Sequence, residues 1–554
     1  MSGADRSRAG DWPSVVVDNM KRYCASCLAM LKYMLRAGRG RPVALVILFG
    51  LSLLNVCSEL PRVDVSRSTS HLAFLGTLDN LLIDSFGAPR QLLFDHYQRR
   101  FPRIPASQPV TIVEIDDRTL AELGQWPWPR NRLATLIDAI AAMKPVAIGL
   151  DIYMPEPDQT SPDKVADNLP ASASDLADRL RALPSHEAVL AQSLRASPSI
   201  LGAAAFDHAA FGTSTDMRSA PVLVHGVDPL DKVQRFNFVI ASLPELQAAA
   251  HGQAMLNVAL EQGTVRKIPL VMGLGDKLVP SLPLEMLRIA TGSPALDVYA
   301  NKSGVTAVGV ADVRVPTQAN GDYWLHFASI GLTANRYVSA RDVLLGRVDA
   351  DRLHNKLVLV GLTGSGLTDM RTTVLGELVP GIEIQAQVIE SIFEGRYLRR
   401  PAWLKSAECA FIMAFGLLII WYLPRTDSRL ARFARAVPKA SAIMGISLNL
   451  LTLYSCILLF RYFGLLVDAA SIFIILSAVM GCFFSTALLA NDAPPMETTT
   501  KAGLQSGPDA GHDAAYASAH EATHDAVYEA ANGVDYDVAH DVVHMADAPD
   551  KKSA

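Results

Sequence analysis

The sequence predicts an α/β domain with a mainly parallel sheet, joined to one N-terminal and three C-terminal transmembrane helices. Two observations carry this prediction. Short β-branched runs alternate with amphipathic stretches between residues 109 and 393, which is typical of α/β folds. Outside that region, apolar residues concentrate in four segments, and the last two approach or exceed the ~20 residues that a spanning helix needs. The four segments are residues 42–57, 407–424, 441–460 and 465–490.

The first apolar segment follows a basic N-terminal stretch, residues 1–41. It is short enough to resemble the core of a signal peptide, which has about 7–15 residues. Its exit reads Leu54-Asn55-Val56-Cys57-Ser58-Glu59, which lacks the small-x-small pattern of a cleavage site. We therefore expect an uncleaved transmembrane anchor, with a cleaved signal peptide as the alternative.

The distribution of lysine and arginine predicts the orientation of these helices, because basic residues in short loops are retained on the cytoplasmic side. The N-terminal stretch is basic, and the loop after the second span holds five basic residues against one acid, Asp427. Both termini are therefore expected in the cytoplasm and residues 58–403 in the periplasm. The expected location is the inner (cytoplasmic) membrane of a bacterium.

The cysteines agree with this orientation, because free thiols are disfavoured in an oxidising compartment. All six lie outside residues 58–403, at Cys24, Cys27, Cys57, Cys409, Cys456 and Cys482. The exported region is therefore expected to be held together by a core and not by disulfides. Cys24 and Cys27 have the spacing of a metal or redox pair, but no second pair accompanies them, so we interpret the spacing as incidental.

Two β-branched runs open the exported region, PVTIVEID at residues 109–116 and PVAIGLDIY at residues 145–153. Between them lies an amphipathic stretch, residues 132–143. Its apolar residues fall on one helical face, namely Leu133, Leu136, Ile137, Ile140 and Met143. The three segments predict a βαβ unit, and therefore a parallel sheet.

Later segments continue the alternation of helices and strands. Helices are predicted near residues 187–195, 281–290 and 380–393, and strands at residues 199–206, 323–327 and 356–361. Residues 155–173 are rich in Pro, Ser and Asp, which is typical of a surface loop.

Acidic and polar residues follow three of the predicted strands, and ligands of open α/β sheets tend to bind beyond the carboxyl ends of strands. The pattern predicts a shared ligand pocket. An alternative is that Asp116 and Asp151 cap helices and satisfy loop amides, and a less favoured one is an oxygen-ligand metal site. The residues concerned are Asp116 and Asp117 after the first strand, Asp151 after the second, and the 363–366 turn with Asp369 and Arg371 after the last.

The most distinctive local sequence is Trp126-Pro127-Trp128-Pro129-Arg130. The two prolines fix φ and hold the two indoles in a rigid loop. Arg130 precedes the predicted helix at residues 132–143, so the helix N-terminus beside it is a candidate site for an anionic or cyclic ligand. The alternative is that the tryptophans pack as a lid over the end of the sheet.

Residues 110–158, from VTIVEID to YMPEPD, resemble the opening of the type-2 CHASE sensory domain. The resemblance extends over residues 74–401, and several separated motifs occur in the family's order. They are GTVRKIPL at residues 263–270 with PSL at 280–282, LVG at 359–361 with Gly366, Leu367 and Asp369, and PGIEIQAQ at 380–387. Three positions depart from residues common in the family, with Gln262 in place of Asp, Val374 in place of Pro and Gln385 in place of His.

The resemblance implies an extracytoplasmic sensory module, usually coupled across the membrane to a cyclase or a kinase. Only 64 residues follow Ala490, fewer than a typical domain has, and they contain no kinase or GGDEF-like motif. We therefore predict a receptor, not an enzyme, that senses an unknown small-molecule or envelope signal and transmits it to a separate effector protein. The alternatives are a structural scaffold subunit of an envelope complex and, least favoured, a periplasmic hydrolase.

Neither a cofactor nor a nucleic-acid partner is predicted. Residues 361–368 have P-loop spacing, but Leu367 stands where a nucleotide site needs a phosphate-binding lysine. We interpret this segment as a tight turn. No GxSxG or HExxH motif occurs, so the sequence offers no catalytic residues.

The tail, residues 491–554, has a formal charge of −9 from twelve acids against three lysines. This composition predicts a mostly disordered, low-complexity cytoplasmic tail. Histidines spaced i, i+4 offer a weak alternative, a divalent metal site on a helix. These are His520 with His524 and His540 with His544.

Overall fold

The computed structural model describes residues 41–58, 83–367, 369–422 and 440–491. The chain divides into two compact units, Met1–Asp492 and Ala493–Ala554, and the second lies wholly outside the described residues. Several predictions fall outside these ranges and stay predictions. They concern the cytoplasmic N-terminal segment with Cys24 and Cys27, the basic loop around Arg429, and the tail histidines His520, His524, His540 and His544.

The described residues form fifteen α-helices. These are α1 Arg41–Cys57, α2 Ala88–Arg100, α3 Asp117–Leu123, α4 Arg130–Ala142, α5 Pro162–Asp167, α6 Ser174–Arg181, α7 His186–Ala196, α8 Pro244–Ala249, α9 Leu282–Thr291, α10 Ile330–Thr333, α11 Ala340–Leu344, α12 Gly381–Glu394, α13 Ala402–Tyr422, α14 Ala440–Phe463 and α15 Ala469–Asn491. Four short turns of 3₁₀ or π-helix lie at Ile83–Gly87, Ala171–Ala173, Ala334–Arg336 and Ala350–Arg352.

Twenty strands alternate with these helices. They are β1 Val110–Ile115, β2 Ala147–Leu150, β3 Ser199–Phe206, β4 Val222–Gly226, β5 Arg235–Phe236, β6 Phe238–Ile240, β7 Gly252–Met255, β8 Leu260–Glu261, β9 Thr264–Val265, β10 Lys267–Pro269, β11 Val271–Leu274, β12 Lys277–Pro280, β13 Leu296–Asn301, β14 Gly304–Val310, β15 Val313–Pro316, β16 Asp322–Trp324, β17 Tyr337–Ser339, β18 Leu357–Leu362, β19 Met370–Thr373 and β20 Leu378–Pro380.

The largest sheet has seven strands in the order β17-β1-β18-β2-β3-β6, with β7 also paired to β3. Every pairing in it is parallel except that of β3 with β6. The predicted βαβ unit of β1, α4 and β2 is confirmed, and β18 lies between its two strands. The register pairs Val110 with Leu357 and Ile115 with Leu362. Parallel strands therefore deliver the residues that follow them to one edge of the sheet.

Helices cover both faces of this sheet and give it two hydrophobic cores. Strand β18 shows how the faces divide, because side chains alternate along a strand. Leu357 and Leu359 belong to the core beneath α9 and α12, whereas Val358 and Val360 belong to the core beneath α4 and α7. A layer of helices on each face explains why every residue of β1 and β18 except Glu114 and Leu362 is buried.

Four smaller sheets surround the central one, and the sequence did not predict them. Their strand orders are β10-β16, β12-β11-β5, β15-β14-β13-β4 and β20-β19-β9-β8. Many of these strands span only two to four residues, too few for an alternating pattern to stand out in the sequence.

Two predicted elements require correction. The surface loop at residues 155–173 contains a helix, α5, whose first residue Pro162 suits the first helical turn. The strand predicted at residues 323–327 ends at Trp324, because the Phe327 and Ala328 amides donate to the side chains of Gln98 and Gln387. Those two amides are therefore unavailable for a sheet.

Four apolar helices, α1, α13, α14 and α15, lie outside the sheets. By length and composition, Ala402–Tyr422 and Gly445–Phe463 qualify as candidate membrane spans, while Arg41–Cys57 and Ala469–Cys482 are shorter apolar helices. Helices α1, α13 and α15 share one hydrophobic core. Within it, a Cβ on Gly416 would sit 2.5 Å from the Leu48 side chain, so this glycine lets α13 approach α1 closely.

Candidate functional site

A cavity of about 490 Å³ lies beyond the carboxyl ends of β2, β3 and β18. Six segments supply its lining: the loop between α3 and α4, the residues after β2, the end of β3, the loop after β7, the residues from the end of β18 to the start of β19, and the first turns of α12. Its lining residues are Trp126, Asp151, Ile152, Tyr153, Ala204, Ala205, Phe206, Leu256, Asn257, Val258, Leu362, Leu367, Asp369, Arg371, Gly381, Ile382 and Gln385. This is the sheet edge at which the sequence predicted a ligand pocket.

Asp151 is the acid nearest the sheet in this cavity. It follows β2 directly, and its backbone amide continues the sheet by donating to the Val360 carbonyl at 2.8 Å. No hydrogen bond to its carboxyl group occurs among the described residues. Burial, with a smaller contribution from the negative charge of Asp369, raises the pKa of Asp151 to about 7. The carboxyl group therefore changes charge near neutral pH.

Helix α12 contributes Gln385, which is 2 % exposed. Its amide nitrogen donates to the Leu256 carbonyl at 3.3 Å, while its Oε1 atom is buried without a partner among the described residues. The nearby Asn257 amide differs, because it donates to the Ala205 carbonyl at 2.9 Å and accepts from the Ala205 amide at 2.8 Å. Gln385 is thus the amide with unused accepting capacity.

Asp369 and Arg371 form an ion pair at the cavity. The Asp369 side chain is 66 % exposed and that of Arg371 27 %, so the pair lies at the solvent side of the lining. The Arg371 Nε atom is buried without a partner in the described part of the chain. The lining therefore holds two carboxyl groups and one guanidinium group.

Two predicted site residues, Asp116 and Asp117, do not line the cavity. The Asp116 carboxylate caps α3 by accepting from the Thr119 amide at 2.9 Å, which is the capping alternative raised from the sequence. Asp117 accepts from the Ser365 amide at 2.7 Å and hydroxyl at 2.9 Å. It thereby holds the turn of residues 363–366 against β1, and a role for either acid in ligand binding stays a prediction.

The Trp126–Arg130 segment divides between the cavity and the core. Trp126 lines the cavity, whereas Trp128 is 2 % exposed and its indole donates to the Gly124 carbonyl at 2.8 Å. The Arg130 amide, at the N-terminus of α4, donates to the Asp158 carboxylate at 2.7 Å. That carboxylate already occupies the position proposed for an anionic ligand.

Among the aromatic and amide-bearing lining residues, the sequence did not predict Tyr153, Phe206, Asn257 and Gln385 as site residues. Tyr153 and Phe206 lie at or just beyond strand ends, so the rule that predicted Asp151 extends to them. Gln385 was noted only as a departure from the family pattern. Gln385 lies four residues after the start of α12, one helical turn from the end of the helix that faces the strand ends. This position is the signal in the sequence that could have predicted Gln385 as a site residue.

Helix α12 also takes part in a group of buried charged and polar side chains, here named the buried ion-pair network, in which two arginines from other segments join residues of the helix. Its members are Arg103, Arg336, Glu383, Gln387, Glu390 and Glu394. Arg336 is fully buried and donates to Glu383 at 3.1 Å and to Glu390 at 2.6 Å. Arg103 donates to Glu394 at 2.8 Å. The network fixes α12 to the chain segments before β1 and β17.

Comparison with known protein families identifies the chain. A family model described as the CHASE2 domain matches residues 72–422, more than half of the sequence. No curated protein and no solved structure matches the chain. CHASE2 domains are extracytoplasmic, non-catalytic sensory domains. The matched residues include the central sheet, the cavity and helix α13, and the chain therefore belongs to the CHASE2 domain family.

Proposed function

We propose that this protein is a membrane-anchored extracytoplasmic receptor that binds a signal molecule in the cavity and transmits binding through its C-terminal helices to a separate effector protein. One observation carries the proposal. Helix α12 begins at the cavity with Gly381, Ile382 and Gln385, and it ends at Glu394, eight residues before α13 begins at Ala402. A change at the cavity wall therefore has a short, direct path to the apolar helices.

The proposal includes four membrane-spanning helices, α1, α13, α14 and α15, in a bacterial inner membrane. Two of these are long and apolar enough to span, by length and composition. The orientation rests on the basic residues of the N-terminal stretch and of the loop between α13 and α14. With both termini cytoplasmic, the cavity faces the periplasm.

Polar contacts join the end of the sensory region to three of these helices. Arg400 donates to both carboxylate oxygens of Glu408 on α13, at 2.9 Å each. Glu408 also accepts from the Asp468 amide at 2.7 Å, just before α15. Ser471 of α15 then donates to Asn55 of α1 at 3.1 Å. Paired groups of this kind are expected to move together, because separating them in a water-poor setting is costly.

The segment between α14 and α15 adds a backbone connection to the same place. The Arg399 amide donates to the Gly464 carbonyl at 2.7 Å, and the Leu466 amide donates to the Arg399 carbonyl at 3.0 Å. Residues 395–401 are therefore attached to all the apolar helices that follow them. This arrangement supports transmission through residues 395–401.

The test fills the cavity with a side chain of the protein itself. Ala204 lines the cavity, and the variant A204W would place an indole there. With full-length protein in lipid nanodiscs, we expect altered amide hydrogen exchange in residues 381–410 compared with the unsubstituted protein. The matched control, A210W, adds the same indole at an exposed position six residues away and should leave exchange unchanged.

The same measurement separates a receptor from a scaffold subunit. A scaffold has no reason to couple the cavity to residues 395–410, so A204W would change exchange only around β3. If A204W folds and residues 395–410 exchange as in A210W, transmission through α12 is contradicted and the scaffold role is favoured.

A further inference from the structure

We infer that the cavity binds a small organic ammonium ion, a protonated amine on an apolar body, with the amine against Asp151 and Gln385. This inference rests on the proposed receptor function and names the ligand class of the same site. It follows from three properties of the lining: its unused hydrogen-bonding atoms, its charge, and its aromatic side chains.

Two groups of the cavity lining, on Asp151 and Gln385, have hydrogen-bond acceptors left over, and one donor, the Arg371 Nε atom, is left over in the Asp369–Arg371 ion pair. Among the described residues, the Asp151 carboxyl group has no hydrogen-bond partner, and the Gln385 Oε1 atom is buried without one. Burying an unpaired carbonyl oxygen costs free energy, so a bound molecule that donates hydrogen bonds would recover that cost. An ammonium group offers up to three donors and no acceptor, which matches two acceptors in the lining of one cavity.

The charge of the lining favours a cation. Asp369 is paired with Arg371, whereas Asp151 has no cation bonded to it in the described residues. An ionised Asp151 therefore leaves the cavity with one uncompensated negative charge. An ammonium ion would supply the missing positive charge at the cavity wall.

The remaining lining favours an organic cation over a metal ion. Trp126, Tyr153 and Phe206 are aromatic residues of the lining, and aromatic rings attract organic cations through their π faces. Leucine and isoleucine residues also belong to the lining. Calcium takes six to eight oxygen ligands, and no group of three or more His, Cys, Asp or Glu side chains suited to a metal occurs in the part of the chain described. The volume of about 490 Å³ suits a small molecule.

The ammonium ion needs Asp151 in its ionised form, and this gives the site a pH dependence. The charged groups around Asp151 in the lining are Asp369 and Arg371. Because the pKa of Asp151 is raised to about 7, most of the carboxyl groups are ionised at pH 8 and few at pH 6. Affinity for an amine should therefore fall about tenfold from pH 8 to pH 6.

The experiment titrates full-length protein in nanodiscs with two sets of probes matched in shape and different in charge. One set is hexylamine, hexanol and hexanoate; the other is 2-phenylethylamine, 2-phenylethanol and phenylacetate. Calorimetry at pH 8 should show binding of at least one amine and weaker binding of its alcohol and acid. If no amine binds more tightly than its alcohol, or if the acids bind best, the inference is overturned.

Two cavity variants and one control assign the site. D151N should weaken amine binding roughly ten- to a hundredfold, the range expected for a hydrogen bond to a charged group. Q385M, which removes the acceptor and retains the length, should weaken it roughly two- to tenfold. D216N changes an exposed acid outside the cavity and should have no effect. Equal amine affinity in D151N, Q385M and D216N would overturn the site.

Two further measurements distinguish the amine site from a metal site and test the ligand class separately from the receptor function. Calcium or magnesium chloride that displaces the amine and is itself bound through Asp151 would show a metal site and overturn the inference. Amine binding without any change of hydrogen exchange in residues 395–410 would support the ligand class and contradict the receptor function. If A204W changes that exchange but no amine binds, the receptor function stands and the ligand class is wrong.

Discussion

Helix α12 contacts two polar regions that differ in whether their carboxyl groups have hydrogen-bond partners. In the buried ion-pair network, Glu383 accepts hydrogen bonds from Thr333, Arg336, Tyr337 and Gln387. In the cavity, Asp151 has no hydrogen-bond partner among the described residues. The network is shielded from solvent, with both Arg336 and Glu383 fully buried, while the cavity retains space for about one small molecule.

The difference suggests that the two regions in contact with α12 have different roles, one in fixing the helix and one in binding a ligand. A buried charge without a partner is costly, so the protein satisfies Glu383 with its own side chains and thereby fixes the position of α12. Asp151 carries the same kind of group, is partly buried at the cavity wall, and has no such partners among the described residues. A bound cation would remove that cost, and the proposed receptor function requires α12, which the network holds, to pass on the resulting displacement.

The largest expected effect is the loss of the network's central cation. The variant R336M leaves Glu383 and Glu390 buried without Arg336, and removing one partner of a buried ion pair costs about 3–5 kcal/mol. We expect a clear fall in the unfolding midpoint of the full chain in detergent. The matched control is R341M, because Arg341 pairs with the half-exposed Glu122 at 2.8 Å, and exposed pairs contribute roughly 0–1 kcal/mol. Equal effects of the two substitutions would mean that the network does not stabilise the protein.

The second effect concerns the dependence of stability on pH. The pKa of Asp151 is raised in the folded state from 3.8 to about 7, so between these values the folded protein holds a proton that the unfolded chain has released. The contribution of Asp151 to stability should then fall as pH rises from about 4 to about 7, by up to about 4 kcal/mol. D151N should remove this fall, and above pH 7 it should be more stable than the unsubstituted protein.

The measurement is the unfolding midpoint of both proteins from pH 4.5 to pH 8. The comparison of the two profiles isolates Asp151, since other titrating groups are common to both. Parallel profiles would show that Asp151 is not protonated in the folded protein, and the contrast between cavity and network would then be lost.

A third test uses an acid close to Asp151 in sequence whose pKa moves the other way. Burial alone would raise the pKa of Asp158, but hydrogen bonds from Thr160, the Arg130 amide and His186 hold it at about 2. Its contribution to stability is therefore present above pH 4 and is lost as pH falls toward 2. We expect D158A to lower stability at pH 7 by about 1–2 kcal/mol, as for loss of a helix cap.

The control for this test is D167A, because Asp167 is 57 % exposed and pairs only with the exposed Arg181 among the described contacts. D167A should change the unfolding midpoint very little. A loss in D158A that stays constant down to pH 2 would show that the side chain acts through packing and not through its charge.

The sequence predicted the sheet edge better than the cavity. The alternation of β-branched runs and amphipathic stretches is local, so β1, α4, β2 and β3 could be read directly. The position of Asp151 followed because it comes straight after a strand. The placement of β18 between β1 and β2 could not be predicted, because it pairs residues more than 200 positions apart and depends on how whole elements pack.

The same limit explains the unpredicted network and the part of Gln385 in the cavity. Arg336 lies 47 residues from Glu383 and 54 from Glu390, and nothing local connects them. For α12, the amphipathic pattern revealed a helix but not its rotation against the sheet. Gln385 therefore remained a family departure until the helix was placed beside Leu256. Capping residues such as Asp116 were open to two interpretations. Their partner amides are close in sequence and could be predicted, but their exposure to solvent depends on distant parts of the chain and could not.

The smallest expected effect tests the electrostatic link between the two acids of the cavity. The negative charge of Asp369 is the second cause of the raised pKa of Asp151, after burial. D369N should therefore lower the pH midpoint at which Asp151 ionises, by less than one pH unit because burial remains the main cause. Infrared difference spectroscopy of the carboxyl band measures this midpoint, with D151N assigning the band.

The control is D117N, because Asp117 is engaged with Ser365 and lies outside the cavity lining. A lower midpoint in D369N than in D117N thus shows that the cavity acid responds to the charges around it. An unchanged midpoint would mean that burial alone sets the protonation of Asp151, and a cationic ligand would then gain less from the site than the network comparison implies.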